Sequence, residues 1–238
     1  MVLLPVFGKS APYQVSPSKI IALGLNYRSH IAESRSLKVR GFTEEVPEEP
    51  ILFPKTPNVL IGPGESIVIP RFLLEYGFDD LRTDYEAELA VIIGKKCRNV
   101  TPEEALNHVL GYTCMNDVSQ RNIQTGDRSG WFRGKSLDTF GPIGPRIVLH
   151  EDIGDPQNLR IQCRLNGRTT QDASTAQMIF PVDQVIAFIS KNFTLMPGDI
   201  IATGTPSGVG RICHGDEVEI EIEKIGILSN PVVEEWMQ

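Results

Sequence analysis

The sequence has few of the features that mark exported, membrane-bound or nucleic-acid-binding proteins. It contains no apolar run of about 18 residues, and residues 1–25 lack the order of charged and apolar regions found in signal peptides. Its four cysteines are too far apart for a C-x-x-C motif, which favours reduced thiols. The net charge is −7, and no Lys/Arg stripe is present. We therefore expect a soluble cytoplasmic protein that binds neither membranes nor nucleic acid.

The chain does contain many short strand-like runs with few helices between them. Residues 1–18 hold three prolines, which predict a short lead-in without regular structure. Residues 19–238 predict one main domain with a mixed, β-rich fold, rolled or sandwiched, because the runs do not follow a regular β-α-β alternation. Helices are predicted at Tyr27–Ser36, from Thr101 and at Pro181–Phe193, and the glycine-rich residues 119–145 predict a long functional loop.

The run Asp84–Ile93 carries the first functional signal. Alternate side chains of a strand share a face, so Asp84, Glu86 and Glu88 line up before the same face becomes apolar. Carboxylates buried this close together repel one another, and a bound divalent cation would offset that repulsion. Ligands that are all oxygen atoms favour Mg²⁺, Mn²⁺ or Ca²⁺. The alternative is a solvated strand face, which we predict for Glu217–Glu223 because its acidic face stays acidic throughout. Spacing alone leaves both interpretations open.

Further polar residues could complete a site around these carboxylates. Asp117 ends the next apolar run, and Arg121 and Lys135 follow in a stretch that could hold an anionic substrate, although ordinary surface charge is the alternative for each cation. His30 and Glu33 are three positions apart and would share one face of a helix, where a carboxylate can orient an imidazole as a general base. An isolated pair of this kind is more often structural.

Five blocks in order resemble the signatures of the fumarylacetoacetate hydrolase family. They are Y-E-x-E-L-A-V from Tyr85, N-D-V-S-x-R-x-x-Q from Asn116, W-x-R-G-K-S-x-D-T-F-x-P from Trp131, Met178–Phe180 and Thr203–Gly210. The segment N-Y-x-x-H-x-x-E from Asn26 is similar to the family's catalytic dyad. This resemblance implies a rolled β-fold, usually as a homodimer, with the glutamate-rich residues 37–50 as part of a lid.

The resemblance also implies the roles of individual residues. Glu86, Glu88 and Asp117 are the implied ligands of a Mg²⁺ ion, with Mn²⁺ or Ca²⁺ as alternatives. The implied catalytic residues are His30, Glu33 and Lys135, and the implied substrate-binding residues are Arg121, Gln124 and Thr205. Two residues depart from the usual Ala and Asp of the family and leave the geometry of their turn open: Gln120 and Asn122.

The implied chemistry begins with a small 2-oxo acid that chelates the metal and forms a stabilised enolate. Our first interpretation is hydrolysis of a C–C bond in a 2,4-dioxo acid of the acylpyruvate type, with water activated by His30 and Glu33. The alternatives within the family are decarboxylation of an oxaloacetate-type acid and isomerisation of 2-hydroxyhepta-2,4-diene-1,7-dioate. A non-catalytic metal-binding protein is the alternative from another class.

Overall fold

The structure, a computed structural model, describes residues 2–31, 45–126 and 131–237. The predicted dyad residue Glu33 and most of the predicted lid lie outside these ranges. The largest unit is a seven-stranded sheet with the order β4 (Ile51–Lys55), β3 (Ile20–Gly24), β14 (Ile200–Ala202), β8 (Ala87–Ile93), β9 (Val109–Asn116), β11 (Gly141–Leu149) and β5 (Leu60–Ile61). Strands β14 and β3 run parallel, as do β11 and β5, and the remaining pairs are antiparallel.

Among the described residues, three smaller sheets accompany the seven-stranded sheet. The five-stranded sheet has the order β13 (Arg168–Ser174), β12 (Arg160–Leu165), β16 (Glu217–Ile222), β17 (Gly226–Glu234) and β6 (Ile67–Ile69). The last two sheets are β10 (Ser119–Gln120), β7 (Thr83–Tyr85) and β15 (Gly210–Ile212) in that order, and the hairpin of β1 (Val2–Leu4) and β2 (Tyr13–Val15). This architecture confirms the predicted mixed, β-rich, rolled fold.

The helices are short except for the last. They are α1 (Arg28–Ile31), α2 (Pro102–Ala105), α3 (Arg121–Gly126), α4 (Phe132–Lys135), α5 (His150–Ile153) and α6 (Val182–Asn192). Short 3-10 helices occur at Pro57–Val59, Arg71–Tyr76, Leu106–His108, Thr175–Gln177 and Glu235–Met237. Helix α2 starts after a capping box at Thr101, as predicted. Across the described ranges, no helix has the length and apolar character needed to cross a bilayer.

Strand β8 separates two apolar cores. Leu89 and Val91 point into the core that includes α6 and the five-stranded sheet. Ala90 and Ile92 point into a second core on the opposite face of the seven-stranded sheet. Every residue of β8 is buried, and full burial of one large aliphatic side chain contributes about 1.5–3 kcal/mol. Glu88, the second residue of β8, is therefore attached to a fully buried strand, and Glu86 directly precedes that strand.

The prediction that residues 1–18 lack regular structure is wrong. Strands β1 and β2 form a hairpin, and its residues Val2, Leu4 and Val15 belong to the second apolar core. Pro5 and Pro12 lie just outside the paired residues, so they delimit the hairpin and do not disrupt its hydrogen bonds.

Two predictions for the segments that carry the site are also wrong. The run Asp84–Ile93, predicted as a single strand, is interrupted at Glu86, and the two parts belong to β7 and β8 in different sheets. Residues 119–145 are not a loop, because they contain β10, α3, α4 and the beginning of β11. A Cβ on Gly134 would lie 2.8 Å from the Gln120 carbonyl oxygen and from the Gln124 amide nitrogen. This glycine therefore allows close packing of α4 on α3.

The acidic strand near the C-terminus behaves as predicted. In β16, the valine and isoleucine side chains are buried, and Glu219 and Glu221 are only partly buried. Both carboxylates pair with Arg164 of the neighbouring strand β12, at 2.9 and 2.6 Å. This acidic face therefore belongs to the surface.

Candidate metal centre

Three carboxylates converge at the break between β7 and β8. Glu86 occupies the break, Glu88 is the second residue of β8, and Asp117 follows the end of β9. One oxygen from each side chain lies within 4.8 Å of the others, and all three residues are buried. The backbone holds the arrangement, because the Asp117 amide donates to the Glu86 carbonyl at 2.9 Å and the Glu86 amide donates to Asn116 Oδ1 at 2.9 Å. The structure thus brings together the three ligands that the resemblance implies.

Two buried lysines neutralise part of this acidic cluster. Lys135 Nζ lies 2.6 Å from Glu86 Oε2 and 2.5 Å from Asp117 Oδ2. Lys55 Nζ lies 2.6 Å from Asp117 Oδ1, and neither side chain of this pair is exposed. Burial alone would lower the pKa of Lys135, but Asp117 and Glu86 raise it above its ordinary value, so this side chain stays charged.

Arg121 lies on the far side of the cluster and is already paired. Its guanidinium donates to Glu86 Oε1 at 2.5 Å, to Asp84 Oδ2 at 2.8 Å and to Gln124 Oε1 at 2.8 Å. Asp84 also binds Arg82 at 2.7 Å and does not belong to the cluster of three carboxylates. Asp84 and Glu86 nevertheless share the Arg121 guanidinium, although the strand is interrupted at Glu86. Direct contact of Arg121 with a substrate stays a prediction.

Glu88 differs from the other two carboxylates in its partners. Its Oε2 accepts a hydrogen bond from the Gly204 amide at 2.8 Å, and its buried Oε1 has no hydrogen-bond partner among the described residues. Burial raises the pKa of Glu88 well above its ordinary value, and the neighbouring Asp117 and Glu86 raise it further. Burial acts on Glu86 in the same direction, but Lys135 and the Arg121 guanidinium outweigh it and lower its pKa.

A divalent cation fits these residues. A buried carboxylate oxygen without a partner is costly unless a cation compensates it. The three side chains offer only carboxylate oxygens, which are the donors that hard ions such as Mg²⁺, Mn²⁺ and Ca²⁺ prefer. Glu86, Glu88 and Asp117 would hold such an ion. The positive charge of the ion would stabilise ionised Glu88 most, because its Oε1 has no other partner among the described residues.

A cleft with polar and apolar walls adjoins the centre. Its polar lining comes from His30, Glu86, Gln124, Lys135 and Thr205. Its apolar lining comes from Leu23, Gly24, Leu25, Phe53 and Trp131. Phe53 and Trp131 meet edge to face with ring centroids 5.1 Å apart, and Lys135 Nζ lies 5.0 Å from the Phe53 centroid. Four of the residues implied to act on substrate therefore share one cleft with a candidate metal ligand.

Two polar residues that build the site were not predicted from the sequence. Lys55 follows Phe53 by two positions in β4, and this alternation, which buries both, was the available signal. Asn26 links distant parts of the site, because its Nδ2 donates to the Thr203 carbonyl at 2.8 Å and its Oδ1 accepts from the Phe180 amide at 2.8 Å. No pattern in the sequence identifies that role.

The two residues that depart from the family pattern stabilise the start of α3. Gln120 Nε2 donates to Asn122 Oδ1 at 3.1 Å, and Gln120 Oε1 accepts from the Ile123 amide at 2.9 Å. Asn122 also accepts from the Arg82 amide at 2.9 Å and donates to the Asp80 carbonyl at 2.8 Å. Their polar side chains thus fix the turn that precedes Arg121.

Comparisons with known proteins agree with this geometry. Residues 19–233 match the family described as "Fumarylacetoacetate (FAA) hydrolase C-terminal". The mitochondrial oxaloacetate tautomerase of Xenopus laevis is 42% identical over 226 residues, which cover 92% of this chain and 66% of that protein. The crystal structure of fumarylpyruvate hydrolase from Pseudomonas aeruginosa with Mn²⁺ and pyruvate has a TM-score of 0.84 at 29% identity, covering 98% of this chain and 96% of that one. A 2-hydroxyhepta-2,4-diene-1,7-dioate isomerase from Mycobacterium marinum has a TM-score of 0.78 at 38% identity, covering 93% and 76%.

Proposed function

Since the chain belongs to the fumarylacetoacetate hydrolase family of enzymes, we propose that it hydrolyses a C–C bond in a small 2,4-dioxo acid of the acylpyruvate type. One observation carries this proposal: Glu86, a candidate metal ligand, lines the same cleft as His30, Lys135 and Thr205. A cation site, a buried imidazole, an ammonium and a hydroxyl therefore surround one small space.

The metal is proposed to be Mg²⁺ or Mn²⁺. The similar hydrolase from Pseudomonas aeruginosa was crystallised with Mn²⁺ and pyruvate. A divalent ion supplies Lewis acidity, which polarises a bound ketone and stabilises negative charge on its oxygen. Glu86, Glu88 and Asp117 are the residues that would hold it.

Each of the other polar residues of the cleft has its own proposed role. Lys135 keeps its positive charge beside Glu86 and Asp117 and is proposed to hold an anionic oxygen of the substrate. Gln124 and Thr205 add hydrogen-bonding groups on the same lining, and Phe53 and Trp131 add an apolar wall. His30 is buried in the cleft and is proposed to take the proton of the attacking water.

Isomerisation or tautomerisation of a 2-oxo acid is the second candidate. It is favoured by the 42% identity to the oxaloacetate tautomerase and the 38% identity to the dienedioate isomerase. Both reactions move a proton and neither needs attack by water, so the same lysine and histidine could serve them. The predicted homodimer and the predicted cytoplasmic location stay predictions.

A substrate panel separates these candidates. Enzyme stripped of metal would be supplied with Mg²⁺ or Mn²⁺ and assayed with acetylpyruvate, fumarylpyruvate, oxaloacetate and the dienedioate. We expect metal-dependent release of pyruvate from the acylpyruvates. The released pyruvate is measured through its reduction in a coupled enzyme assay, and the Glu88→Gln variant should release none. Turnover of oxaloacetate enol or of the dienedioate without any acylpyruvate cleavage would replace the hydrolase assignment with the second candidate.

A further inference from the structure

Gln171 connects β8, the strand that carries the candidate ligand Glu88, to the loop that carries Thr205. Its Oε1 accepts a hydrogen bond from the Ala87 amide at 3.0 Å. Its Nε2 donates to Thr205 Oγ1 at 2.9 Å and to the Pro206 carbonyl at 2.8 Å. The side chain is buried and comes from β13 in the five-stranded sheet, whereas Ala87 begins a strand of the seven-stranded sheet.

These partners fix the orientation of the Gln171 amide. The Ala87 amide can only donate, so Oε1 must face it, and the Pro206 carbonyl can only accept, so Nε2 must face that oxygen. Thr205 Oγ1 consequently receives an N–H from Gln171, and its own proton must point to another acceptor. Thr205 lines the cleft, so an oxygen of a bound ligand can be that acceptor.

The other end of the amide lies at the interruption of the metal-binding strand. Ala87 separates the two candidate ligands Glu86 and Glu88, and the ladder of β7 stops before it. Asn116 Oδ1 accepts a hydrogen bond from the Glu86 amide, and Gln171 Oε1 accepts one from the Ala87 amide. Because buried amide groups need partners, these two side chains replace the missing strand bonds.

We propose that Gln171 is a positioning residue that makes Thr205 a hydrogen-bond donor toward an anionic oxygen of the substrate. A donor is needed there because Glu86 lines the same cleft and an accepting hydroxyl would add to the repulsion of an anion. One side chain thereby ties the substrate-facing hydroxyl to the backbone between two candidate metal ligands. The inference rests on the proposed function for the identity of the ligand as a 2-oxo acid.

A double-mutant cycle tests this coupling through binding, independently of turnover. Oxalate would be titrated calorimetrically into the Mn²⁺-saturated wild type, Thr205→Val, Gln171→Met and the double variant. We expect Thr205→Val to weaken oxalate binding about 10-fold or more, since the lost bond has a charged acceptor. Gln171→Met should weaken it about 2-fold to 10-fold by itself, but by less than about 2-fold when Thr205 is already valine.

The outcomes separate positioning from a general structural role. Thr205→Ser keeps the hydroxyl and should bind oxalate as the wild type does. Three results would overturn the inference. The first is an equal loss of oxalate affinity from Gln171→Met in the wild-type and Thr205→Val backgrounds. The others are unchanged oxalate binding by Gln171→Met and no oxalate binding by the wild type. If thermal unfolding shows that Gln171→Met does not fold, Gln171→Glu takes its place, because it still accepts from Ala87 but cannot donate to Thr205. Its loss must likewise shrink in the Thr205→Val background.

The same variants distinguish failure of this inference from failure of the proposed function. The mutant cycle could show coupling between Gln171 and Thr205 in an enzyme that turns over no 2-oxo acid. That result would support the role of Gln171 and contradict the proposed reaction. Acylpyruvate cleavage without coupling between Gln171 and Thr205 would do the reverse.

Discussion

Lys55 Nζ lies 2.6 Å from Asp117 Oδ1, and neither side chain is exposed. Burial lowers the pKa of Lys55, Asp117 acts to raise it, and the nearby Lys135 lowers it again. This lysine is therefore a charge held inside the protein at a cost, next to a carboxylate that is also a candidate metal ligand. Its stabilising contribution should depend on whether a metal supplies charge to the same carboxylate.

The first prediction concerns this pair. Lys55→Met should lower the free energy of unfolding of the metal-free protein by about 3–5 kcal/mol, because it leaves a buried carboxylate with one cation fewer. With saturating Mn²⁺ the loss should be smaller, since the ion compensates Asp117. Urea denaturation with and without Mn²⁺ measures both values. The exposed Lys191→Met is the control, with an expected change within about 0.5 kcal/mol. A loss of the same size in both conditions would contradict this prediction.

The second prediction concerns Glu88. Glu88→Gln keeps the acceptor for the Gly204 amide and removes the charge on the oxygen that has no partner among the described residues. We expect at least about a 10-fold loss of Mn²⁺ affinity by calorimetry. Because burial and the neighbouring carboxylates disfavour the ionised form of Glu88, the metal-free variant should be as stable as the wild type or more stable. Wild-type Mn²⁺ affinity would show that Glu88 is not a ligand.

The sequence predicted the carboxylates of the site more completely than their surroundings. Alternation of polar and apolar residues grouped Glu86 with Glu88, and the resemblance added Asp117. It also named four residues that line one cleft, His30, Gln124, Lys135 and Thr205, whereas Arg121 is not part of that lining. The break at Glu86 was not predictable, because the alternating pattern continues through it and only the pairing of β7 and β8 with different sheets reveals it. Local pattern thus reports which face a residue occupies, but not which sheet its strand joins.

The missed residues share a physical cause. Lys55 is 62 positions from Asp117 in the chain, and Gln171 is 34 positions from Thr205, so neither pair leaves a local signal. The helices between residues 119 and 145 were missed because five glycines and little periodicity predicted a loop, and one of these glycines is Gly134. Its role is to allow close packing between two helices, which is a tertiary effect.

The third prediction concerns the general base. His30→Ala should lower kcat for an acylpyruvate by about 10²-fold to 10⁴-fold, because the attacking water loses its proton acceptor. Mn²⁺ affinity should hardly change, since His30 is not among the three carboxylate ligands. Glu33→Gln, at a position outside the described residues, should also lower kcat, because it removes the charge that is predicted to support the His30 imidazole. Full acylpyruvate turnover by both variants would show that this pair is structural.

The last prediction concerns stability at low pH. Asp199, just before β14, accepts hydrogen bonds from the Ser18 hydroxyl at 2.6 Å and the Met196 amide at 2.8 Å, and it also pairs with Lys19. Burial would raise the pKa of Asp199, but these partners outweigh it and lower the pKa below its ordinary value of 3.8.

A lowered pKa in the folded state means that the stabilisation is fully present above the unfolded pKa and is lost as the pH falls through the folded pKa. Asp199→Asn should therefore cost about 1–3 kcal/mol of unfolding free energy at pH 7, since hydrogen bonds to a charged acceptor are lost. The difference from the wild type should stay constant down to about pH 5 and shrink below about pH 4, because the unfolded wild-type chain takes up the Asp199 proton first and the folded protein does so only at lower pH. Urea denaturation of the metal-free proteins across this range measures it, with the exposed Asp79→Asn as the control. A difference that persists unchanged to pH 2 would mean that Asp199 acts through its shape and not through its charge.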